Sequence, residues 1–263
     1  TVSATASFLD NSLNIHTDLS YINTPFLEDA QRTPVTYSDA PDHFIVNESS
    51  NDWASEETHR GDHVAANFYA DYAFHSGKHS FKAMVGYNYE NTLQKNRYYK
   101  RYGLLNPDLP DPSLITGENF TLTGGGFEWT TSGEFFRVNY NYADRYLLEA
   151  NGRLDGSSKF PTGQQFGFFP SVSAGWRLSQ EPFWKVSSKL ISNLKIRASL
   201  GSLGNGNVDP YEYLETMPVS QLGRMIGGVN PMTTNDPNVL PDGLTWEKVT
   251  TANLGVDMNL LND

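Results

Sequence analysis

The sequence contains no cysteine and no long hydrophobic run. Without cysteine, the chain has no disulfide framework, no thiolate metal site and no cysteine nucleophile. None of its apolar segments approaches the roughly 18 residues that a transmembrane helix requires. No charged and then apolar leader, typical of a secretory signal, opens the chain. If this protein spans a membrane, we therefore expect it to do so with strands.

Positive charge is also scarce. Lys and Arg number 19 against 30 Asp and Glu, which gives a formal net charge of -11. Nucleic-acid binding requires clustered Lys and Arg that neutralise phosphates, so we exclude that class of partner. Aromatic residues, in contrast, make up 13% of the chain. This content favours a protein whose Tyr and Trp side chains anchor it at a membrane interface.

Alternation of apolar and polar residues over residues 135–200 is the most informative feature of the sequence. In four segments every second residue is apolar, and a period of two is the period of a β-strand. The apolar set comprises Val138, Tyr140, Leu148, Ala150, Val172, Ala174, Trp176, Ile196 and Leu200. The polar set between them comprises Arg137, Asn139, Glu149, Asn151, Arg153, Arg177, Lys195 and Arg197.

These two sets predict the wall of an antiparallel transmembrane β-barrel. In such a wall lipid covers the apolar face, and the polar face lines a wet lumen. We therefore expect the apolar set to face lipid and the polar set to face the lumen. The same alternation recurs at residues 2–8, 13–21, 64–74, 81–89 and 254–260, which gives nine candidate strands in an all-β chain.

Three short polar turns are predicted between neighbouring strands. They are two-residue turns at Asp10-Asn11 and Ser76-Gly77 and a three-residue loop at residues 143–145. Because side chains must meet partners on their own face, each turn fixes a register. The predicted facing pairs are Phe8 with Leu13, Tyr72 with Phe81, Tyr142 with Tyr146, and Asn139 with Glu149.

Three long connections are predicted at the other end of the strands, over residues 23–62, 91–131 and 202–247. Short periplasmic turns combined with long extracellular loops are typical of outer-membrane barrels. The first connection is strongly acidic. Its acidic residues form either a solvated surface or a site for a divalent cation. Its acidic residues are Glu28, Asp29, Asp39, Asp42, Glu48, Asp52, Glu56, Glu57 and Asp62.

Aromatic residues of the long connections also have side chains suited to binding. Tyr98, Tyr99 and Trp129 are candidates for contact with a transported solute, although a place in the aromatic girdle at the membrane interface or packing within the loops is the simpler explanation. The glycines at residues 124–126 are interpreted as a flexible joint. His59 and His63 are best explained as part of a loop that enters a strand, so we predict no metal site there.

The sequence contains no convincing catalytic constellation. Glu149 shares its predicted face with Asn139 and Asn151, so cross-strand polar pairing explains it better than general acid catalysis. Asp155 is interpreted as part of a strand end that enters an outer loop, with no partner for nucleophilic catalysis nearby. We therefore predict that the chain is not an enzyme and binds no cofactor.

Several segments resemble one known family. They are residues 137–148, 153–160, 169–177, 194–201 with Gly204-Asn205, 244–247 and 253–257. Their order and spacing are similar to those of the SusC/RagA family of TonB-dependent outer-membrane transporters. The resemblance is dense from about residue 132 to residue 260 and weaker before it.

This resemblance implies an importer of oligosaccharides or peptides in the bacterial outer membrane. Its barrel of about 22 strands would surround an N-terminal plug, draw energy from the TonB complex and carry a SusD-like surface lipoprotein. No plug, TonB box, signal peptide or C-terminal strand set is expected within residues 1–263, so we predict a fragment of the barrel domain. The alternative is a soluble or surface-attached all-β binding protein with long ligand loops.

Overall fold

A computed structural model describes residues 1–34, 36–46, 52–106, 109, 111–115, 117–240 and 243–260. The strands are β1 (Val2–Phe8), β2 (Leu13–Arg32), β3 (Thr36–Ala40), β4 (His43–Val46), β5 (Trp53–Ser76), β6 (His79–Tyr102), β7 (Phe120–Tyr142), β8 (Tyr146–Ser157), β9 (Phe166–Arg177), β10 (Ile191–Asn205), β11 (Val219–Gln221), β12 (Met232–Thr234) and β13 (Glu247–Leu260). Short 3-10 turns lie at Pro112–Leu114 and Leu178–Gln180. No helix within these residues is long and apolar enough to cross a membrane.

Within the described part of the chain, nine strands form one sheet in the order β1-β2-β5-β6-β7-β8-β9-β10-β13. Each of these strands pairs with the next one along the chain, so the sheet is an up-and-down meander. The prediction of nine strands is confirmed. β1 and β13 form the two edges, and the sheet is not closed. The small hairpins β3–β4 and β11–β12 are separate from it.

The chain divides into two compact units. The first unit comprises Thr1–Ser20, Ala65–Glu90 and Trp129–Asp263, and the second comprises Tyr21–Val64 and Asn91–Glu128. The first unit contains β1, β8, β9, β10 and β13 entirely. The second contains the β3–β4 hairpin and segments of the four long strands β2, β5, β6 and β7.

The register of the first and third turns is as predicted. Phe8 faces Leu13 across the first turn, whose central residues Asp10 and Asn11 have φ angles of 54° and 65°. Positive φ at both central residues is the requirement of the type I′ turn that matches the twist of a hairpin. Across the third turn Tyr142 faces Tyr146, and Asn139 faces Glu149.

The second turn lies one residue later than predicted, at Gly77-Lys78. Gly77 has a φ of +57°, a backbone conformation that glycine adopts without a Cβ penalty. A 2.9 Å hydrogen bond from Asn88 to Asn67 supports this position, because the two residues are equally far from the turn along their strands. The predicted pairing of Tyr72 with Phe81 is therefore wrong by two positions. Because the shift is even, both side chains keep their predicted face.

The first two predicted long loops are largely strand. β2 continues to Arg32, and β5 already begins at Trp53. β6 likewise continues to Tyr102, and β7 begins at Phe120. Along these extensions polar residues occupy both faces, so the alternation that reveals the other strands is missing. Of the three predicted loops, only the last keeps most of its length, over residues 206–246.

The glycines at residues 124–126 are not a flexible joint, because they lie inside β7. A side chain at Gly126 would collide with the backbone carbonyl of Gln94 on the neighbouring strand. Gly204 is also within a strand, β10, where a Cβ would overlap the ring of Phe169. In both places glycine allows a close approach between strands that no other residue permits.

The sheet has almost no protein core. Among the described residues the buried apolar side chains are Ala54, Ile115, Phe160 and Phe169. Leu148 and Val172, by contrast, are each 51% exposed. A soluble β-sandwich must pack two sheets face to face around a core, and this sheet has no such second layer within the described residues. The soluble alternative therefore does not fit the structure.

We predict that Gly86→Ala lowers the stability of the complete protein in detergent by about 1–3 kcal/mol, the usual cost of overpacking. The added methyl group would overlap the Phe135 ring and lie 2.6 Å from the Cβ of Tyr69. Gly175→Ala is the matched control, because its nearest neighbour is the flexible Cε of Lys195 at 3.0 Å. Thermal unfolding followed by circular dichroism measures both. Equal unfolding temperatures for the two variants would contradict the prediction.

Candidate functional site on the polar face of the sheet

The register places the two predicted sets of residues on opposite faces. One row of the sheet aligns Asn139, Glu149 and Ser173 across β7, β8 and β9. The adjacent row aligns Val138 with Ala150 and continues to β9 and β10. The remaining residues of the polar set lie on the face of the first row, and those of the apolar set lie on the face of the second, because side chains alternate along each strand. Their assignment to lumen and lipid stays a prediction.

An ion-pair cluster joins β10 and β13 on the polar face. The carboxylate of Asp257 accepts a hydrogen bond of 3.1 Å from Arg197, and the ammonium of Lys195 lies 3.8 Å away. Sequence analysis identified both cations but not the role of Asp257. The sequence does contain a signal for this role, because Asp257 lies between the apolar residues Val256 and Met258 and therefore on the opposite, polar face. This carboxylate balances two of the predicted lumen charges.

A second polar network extends across the middle of the sheet. Arg153 forms an ion pair with Asp155 and donates a 3.1 Å hydrogen bond to the side-chain oxygen of Asn88. Asn88 donates in turn to Asn67. The asparagines were not identified from the sequence, because amides carry no charge that stands out in an alternating strand. Together these side chains connect β8, β6 and β5.

A third network surrounds Asp71, which is 8% exposed. Its carboxylate lies 3.0 Å from the His16 ring and 3.4 Å from the Asn14 amide, and Lys82 is 3.7 Å away. The His16 ring stacks on Tyr69 with centroids 4.4 Å apart. None of these residues was singled out by sequence analysis. Their shared face follows only from the pairing of β2, β5 and β6.

The remaining predicted lumen residues have simpler surroundings. Glu149 accepts a 3.1 Å hydrogen bond from Asn151, and Arg177 contacts the backbone carbonyl of Asp144 at 3.4 Å. Arg137 is exposed and forms no ion pair with the described residues. The bond between Glu149 and Asn151 lies within β8, and Arg177 reaches the turn between β7 and β8, so these polar contacts are local ones.

The second unit carries a groove of about 530 Å³ on one side of β2, β5, β6 and β7. Its walls include Phe26, His59, Gln94, Asn96 and Phe127. Phe26 is 50% exposed, and its ring lies 5.6 Å from the ring of His59. Exposed aromatic rings beside amide groups are suited to a polar solute that also has an apolar face. This groove was not identified from the sequence, because its residues come from segments predicted as loops.

The aromatic candidates Tyr98, Tyr99 and Trp129 lie on strands rather than on loops. Tyr98 and Tyr99 are adjacent on β6 and therefore point to opposite faces. Tyr98 shares its face with the groove residues Gln94 and Asn96. Trp129 has the ammonium of Lys159 4.8 Å above its ring. Their contact with solute stays a prediction.

The acidic segment also differs from expectation. Glu28 and Asp29 lie on β2, and Glu57 lies on β5, where it accepts a 2.7 Å hydrogen bond from His59. His63 bonds to Thr92 instead. No group of three or more metal-ligating side chains occurs among the described residues. Glu48 lies outside the described residues.

Trp246 fixes the base of the long segment 206–246. Its indole donates a 2.9 Å hydrogen bond to the carbonyl of Gln165, and its ring lies 5.3 Å from the fully buried Phe160. The neighbouring Thr245 donates to the carbonyl of Gln164. This motif, which carried part of the family resemblance, therefore joins the start of β13 to the turn between β8 and β9.

Glu181 organises the connection between β9 and β10. Its carboxylate accepts hydrogen bonds from the Tyr146 hydroxyl, from the Trp176 indole at 2.9 Å and from the Arg145 guanidinium at 3.0 Å. These donors stabilise the charged form, so they hold the pKa of the Glu181 carboxyl below its ordinary value. The polar ends of Tyr146 and Trp176 thus find a partner where the apolar face ends.

A family model described as TonB dependent receptor-like, beta-barrel matches residues 1–263. The TonB-dependent receptor SusC of Bacteroides thetaiotaomicron is 29% identical over 216 residues, which cover 80% of this chain and 21% of that protein. The TonB-dependent receptor P3 of Formosa agariphila is 30% identical over 199 residues, covering 74% of this chain and 19% of that protein. The chain thus spans about a fifth of the length of these curated relatives.

Solved structures share the fold. The RagAB peptide transporter matches with a TM-score of 0.77 at 19% identity, over 99% of this chain and 28% of that chain. The RagAB peptide importer in its open-open state matches with a TM-score of 0.75 at 19% identity, over 99% and 27%. At this level of identity the likeness establishes a common architecture.

We predict that Glu181 makes the protein sensitive to acid. A carboxyl whose folded pKa is depressed contributes stability above its unfolded value of 4.5 and loses that contribution as the pH falls through the folded value. The unfolding temperature of the unmodified protein should therefore fall more between pH 6 and pH 3 than that of Glu181→Gln. The exposed control Glu212→Gln should behave like the unmodified protein. Parallel curves for all three proteins would contradict the role of Glu181.

Proposed function

The chain belongs to the TonB-dependent receptor β-barrel family, and from that premise we propose that it forms part of the wall of an active importer in the bacterial outer membrane. The proposed solutes are oligosaccharides or peptides. The nine-stranded sheet would be one segment of a larger barrel of about 22 strands. The share of the curated relatives that the chain covers supports this proposal.

The observation that carries this proposal is the contrast between the two faces of one sheet. Leu148, Val172 and Leu200 leave about half of their surface exposed on a face that no described residue covers. Bilayer hydrocarbon is the natural partner for so large an apolar surface. The opposite face carries the ion pairs of Asp257, Arg153 and Asp71, which suit an aqueous lumen.

In the proposed importer, the polar face contributes electrostatics and shape rather than chemistry. Arg137, exposed and without an ion-pair partner among the described residues, is available to a plug or solute. Energy would come from the TonB complex, and a SusD-like surface lipoprotein would deliver solute. The name of the RagAB peptide transporter favours peptides as one solute class, and the SusC resemblance leaves oligosaccharides as the other.

The groove of the second unit is the proposed solute-contacting surface of this chain. Phe26 offers an exposed ring, and Gln94 and Asn96 offer amide donors and acceptors beside it. Tyr98 extends the same face along β6. Aromatic stacking combined with amide hydrogen bonds serves both a sugar ring and a peptide segment. The groove therefore fits both proposed solute classes.

A charge on the proposed lipid face should block assembly, whereas the same charge on the proposed lumen face should not. We expect Leu148→Lys and Ala174→Lys to cost roughly 2–4 kcal/mol each if they lie near the bilayer midplane. Asn139→Lys on β7 and Ser173→Lys on β9 are the matched controls from the opposite face of the sheet. The readouts are outer-membrane fractionation and heat-modifiable gel mobility of the complete protein. A soluble protein, or equal effects on the two faces, would overturn the barrel wall.

Import is tested by growth on defined nutrients. A strain that lacks the complete protein should lose growth on either an oligosaccharide mixture or a peptide mixture, and the unmodified gene should restore it. A Phe26→Ala/Gln94→Ala variant should assemble normally but restore growth at a lower rate. Its control is Phe44→Ala, which removes an exposed ring in the β3–β4 hairpin. Undiminished growth of the deletion strain on both mixtures would contradict the proposed import.

A further inference from the structure

A cavity of about 470 Å³ lies on the polar face of the first unit, where it is lined by residues of β6, β7, β8, β9, β10 and β13. All of these residues belong to the first unit. The polar lining consists of three asparagines, three serines and the charged residues Glu149, Lys195 and Arg197. The cavity shares no lining residue with the groove around Phe26, so it is a separate candidate site.

The neighbouring strands leave the two cations of this cavity uncovered. Arg197 lies opposite Gly175 on β9 and opposite Gly255 on β13. A Cβ added at Gly255 would lie 3.0 Å from the Nε atom of Arg197, and one added at Gly175 would lie 3.0 Å from the Cε atom of Lys195. Each cationic side chain therefore extends across a glycine, at a place where another residue would have its own side chain.

Asp257 uses only part of the hydrogen-bonding capacity of these cations. Its carboxylate accepts from the Nε atom of Arg197 at 3.1 Å, whereas the Lys195 ammonium, at 3.8 Å, is beyond ordinary hydrogen-bond distance. Within the described residues, the two terminal nitrogens of the Arg197 guanidinium have no hydrogen-bond acceptor. One carboxylate beside two cations also leaves an excess of positive charge. A carboxylate from a solute can therefore bind the free side of the guanidinium through two hydrogen bonds.

The β8 side of the cavity offers acceptors instead. Glu149 accepts a 3.1 Å hydrogen bond from Asn151 through one carboxylate oxygen, and its other oxygen has no donor among the described residues. Asn141 also lines the cavity, and its side-chain oxygen is buried without a donor in the described part of the chain. An ammonium group carries three hydrogen-bond donors and a positive charge. This side of the cavity is therefore suited to the amino group of a solute.

The register gives the distance between the two sides. Glu149 lies opposite Ser173, Ser173 lies opposite Ser199, and Ser199 is two residues from Arg197. Because neighbouring strands lie about 4.8 Å apart and two residues along a strand span about 6.6 Å, the Cα atoms of Glu149 and Arg197 are about 12 Å apart. An extended peptide of two or three residues spans about 7–11 Å. Its two ends therefore have a spacing that can meet both side chains.

We propose that this cavity binds short peptides, with the terminal carboxylate on Arg197 and Lys195 and the terminal ammonium on Glu149. This inference rests on the proposed import function, and it names the solute class that the polar face of the first unit selects. A neutral oligosaccharide would leave both charged sides of the cavity without a partner, whereas a peptide supplies the opposite charge to each side. An acidic sugar supplies the carboxylate but no ammonium.

A thiol placed in the cavity can report its occupancy, because residues 1–263 contain no cysteine. The complete protein with Ser199→Cys is treated with iodoacetamide in detergent, and alkylation of residue 199 is measured by mass spectrometry. Trialanine should slow this alkylation in a saturable way. Its C-terminal amide and its N-acetyl form should each require an at least about tenfold higher concentration, because each loses a charged hydrogen-bond partner. Alkylation of the control Ser3→Cys on β1, outside the cavity, should not respond to trialanine.

Variants of the charged residues assign the two ends of the peptide. In the Ser199→Cys protein, Arg197→Gln should raise the half-protecting concentration of trialanine at least about tenfold and leave that of the C-terminal amide unchanged. Glu149→Gln should weaken protection by trialanine and leave protection by N-acetyl-trialanine unchanged. Lys185→Gln removes an exposed cation outside the cavity and should change neither value. Heat-modifiable gel mobility checks that each variant has assembled.

Three results would overturn this proposal. They are equal protection by trialanine and its C-terminal amide, protection by digalacturonate but not by trialanine, and a thiol at residue 199 that reacts only after the protein is unfolded. The last result would mean that another part of the protein covers the cavity. Loss of growth in the deletion strain without protection of residue 199 would overturn this site alone. Undiminished growth of that strain would instead overturn the proposed import.

Discussion

Strand pairing within a single sheet is the constraint on which the rest of this structure depends. Each inner strand satisfies its backbone hydrogen bonds through its two neighbours, and no second layer of protein lies over the described residues of the sheet. The register therefore decides which residues meet on each face, because a shift of one residue would exchange the two faces. Short turns at Asp10-Asn11, Gly77-Lys78 and residues 143–145 hold that register. In the proposed barrel wall, lipid would take the place of a core, because the described residues bury few apolar side chains against protein.

The polar face has to meet a different requirement. Charges close to a low-dielectric wall are costly unless they are paired or hydrogen-bonded. The structure meets this requirement across strands, through Asp257 with Arg197, Arg153 with Asn88, and Asp71 with His16. Each network joins elements that are distant in sequence, so each also reinforces the pairing of strands.

The second unit uses the long strands for a different surface. Its groove is lined by residues of β2, β5, β6 and β7, and both the aromatic ring of Phe26 and the amide of Gln94 belong to it. Because side chains alternate along a strand, Tyr98 shares the face of Gln94, whereas Tyr99 lies on the opposite face. This groove is the part of the second unit that we propose to contact solute.

The sequence by itself determined the number of strands in the large sheet, two of the three hairpin registers and the membership of each face in the first unit. Those features follow from the alternation of apolar and polar residues with a period of two, which is clear where one face of a strand is apolar and the other polar. Only the tertiary structure decided that β2, β5, β6 and β7 continue far past that pattern, because polar residues occupy both faces of these extensions. It also decided the partners of Arg197, Arg153 and Asp71. These contacts depend on pairing between strands, and local sequence does not encode that pairing.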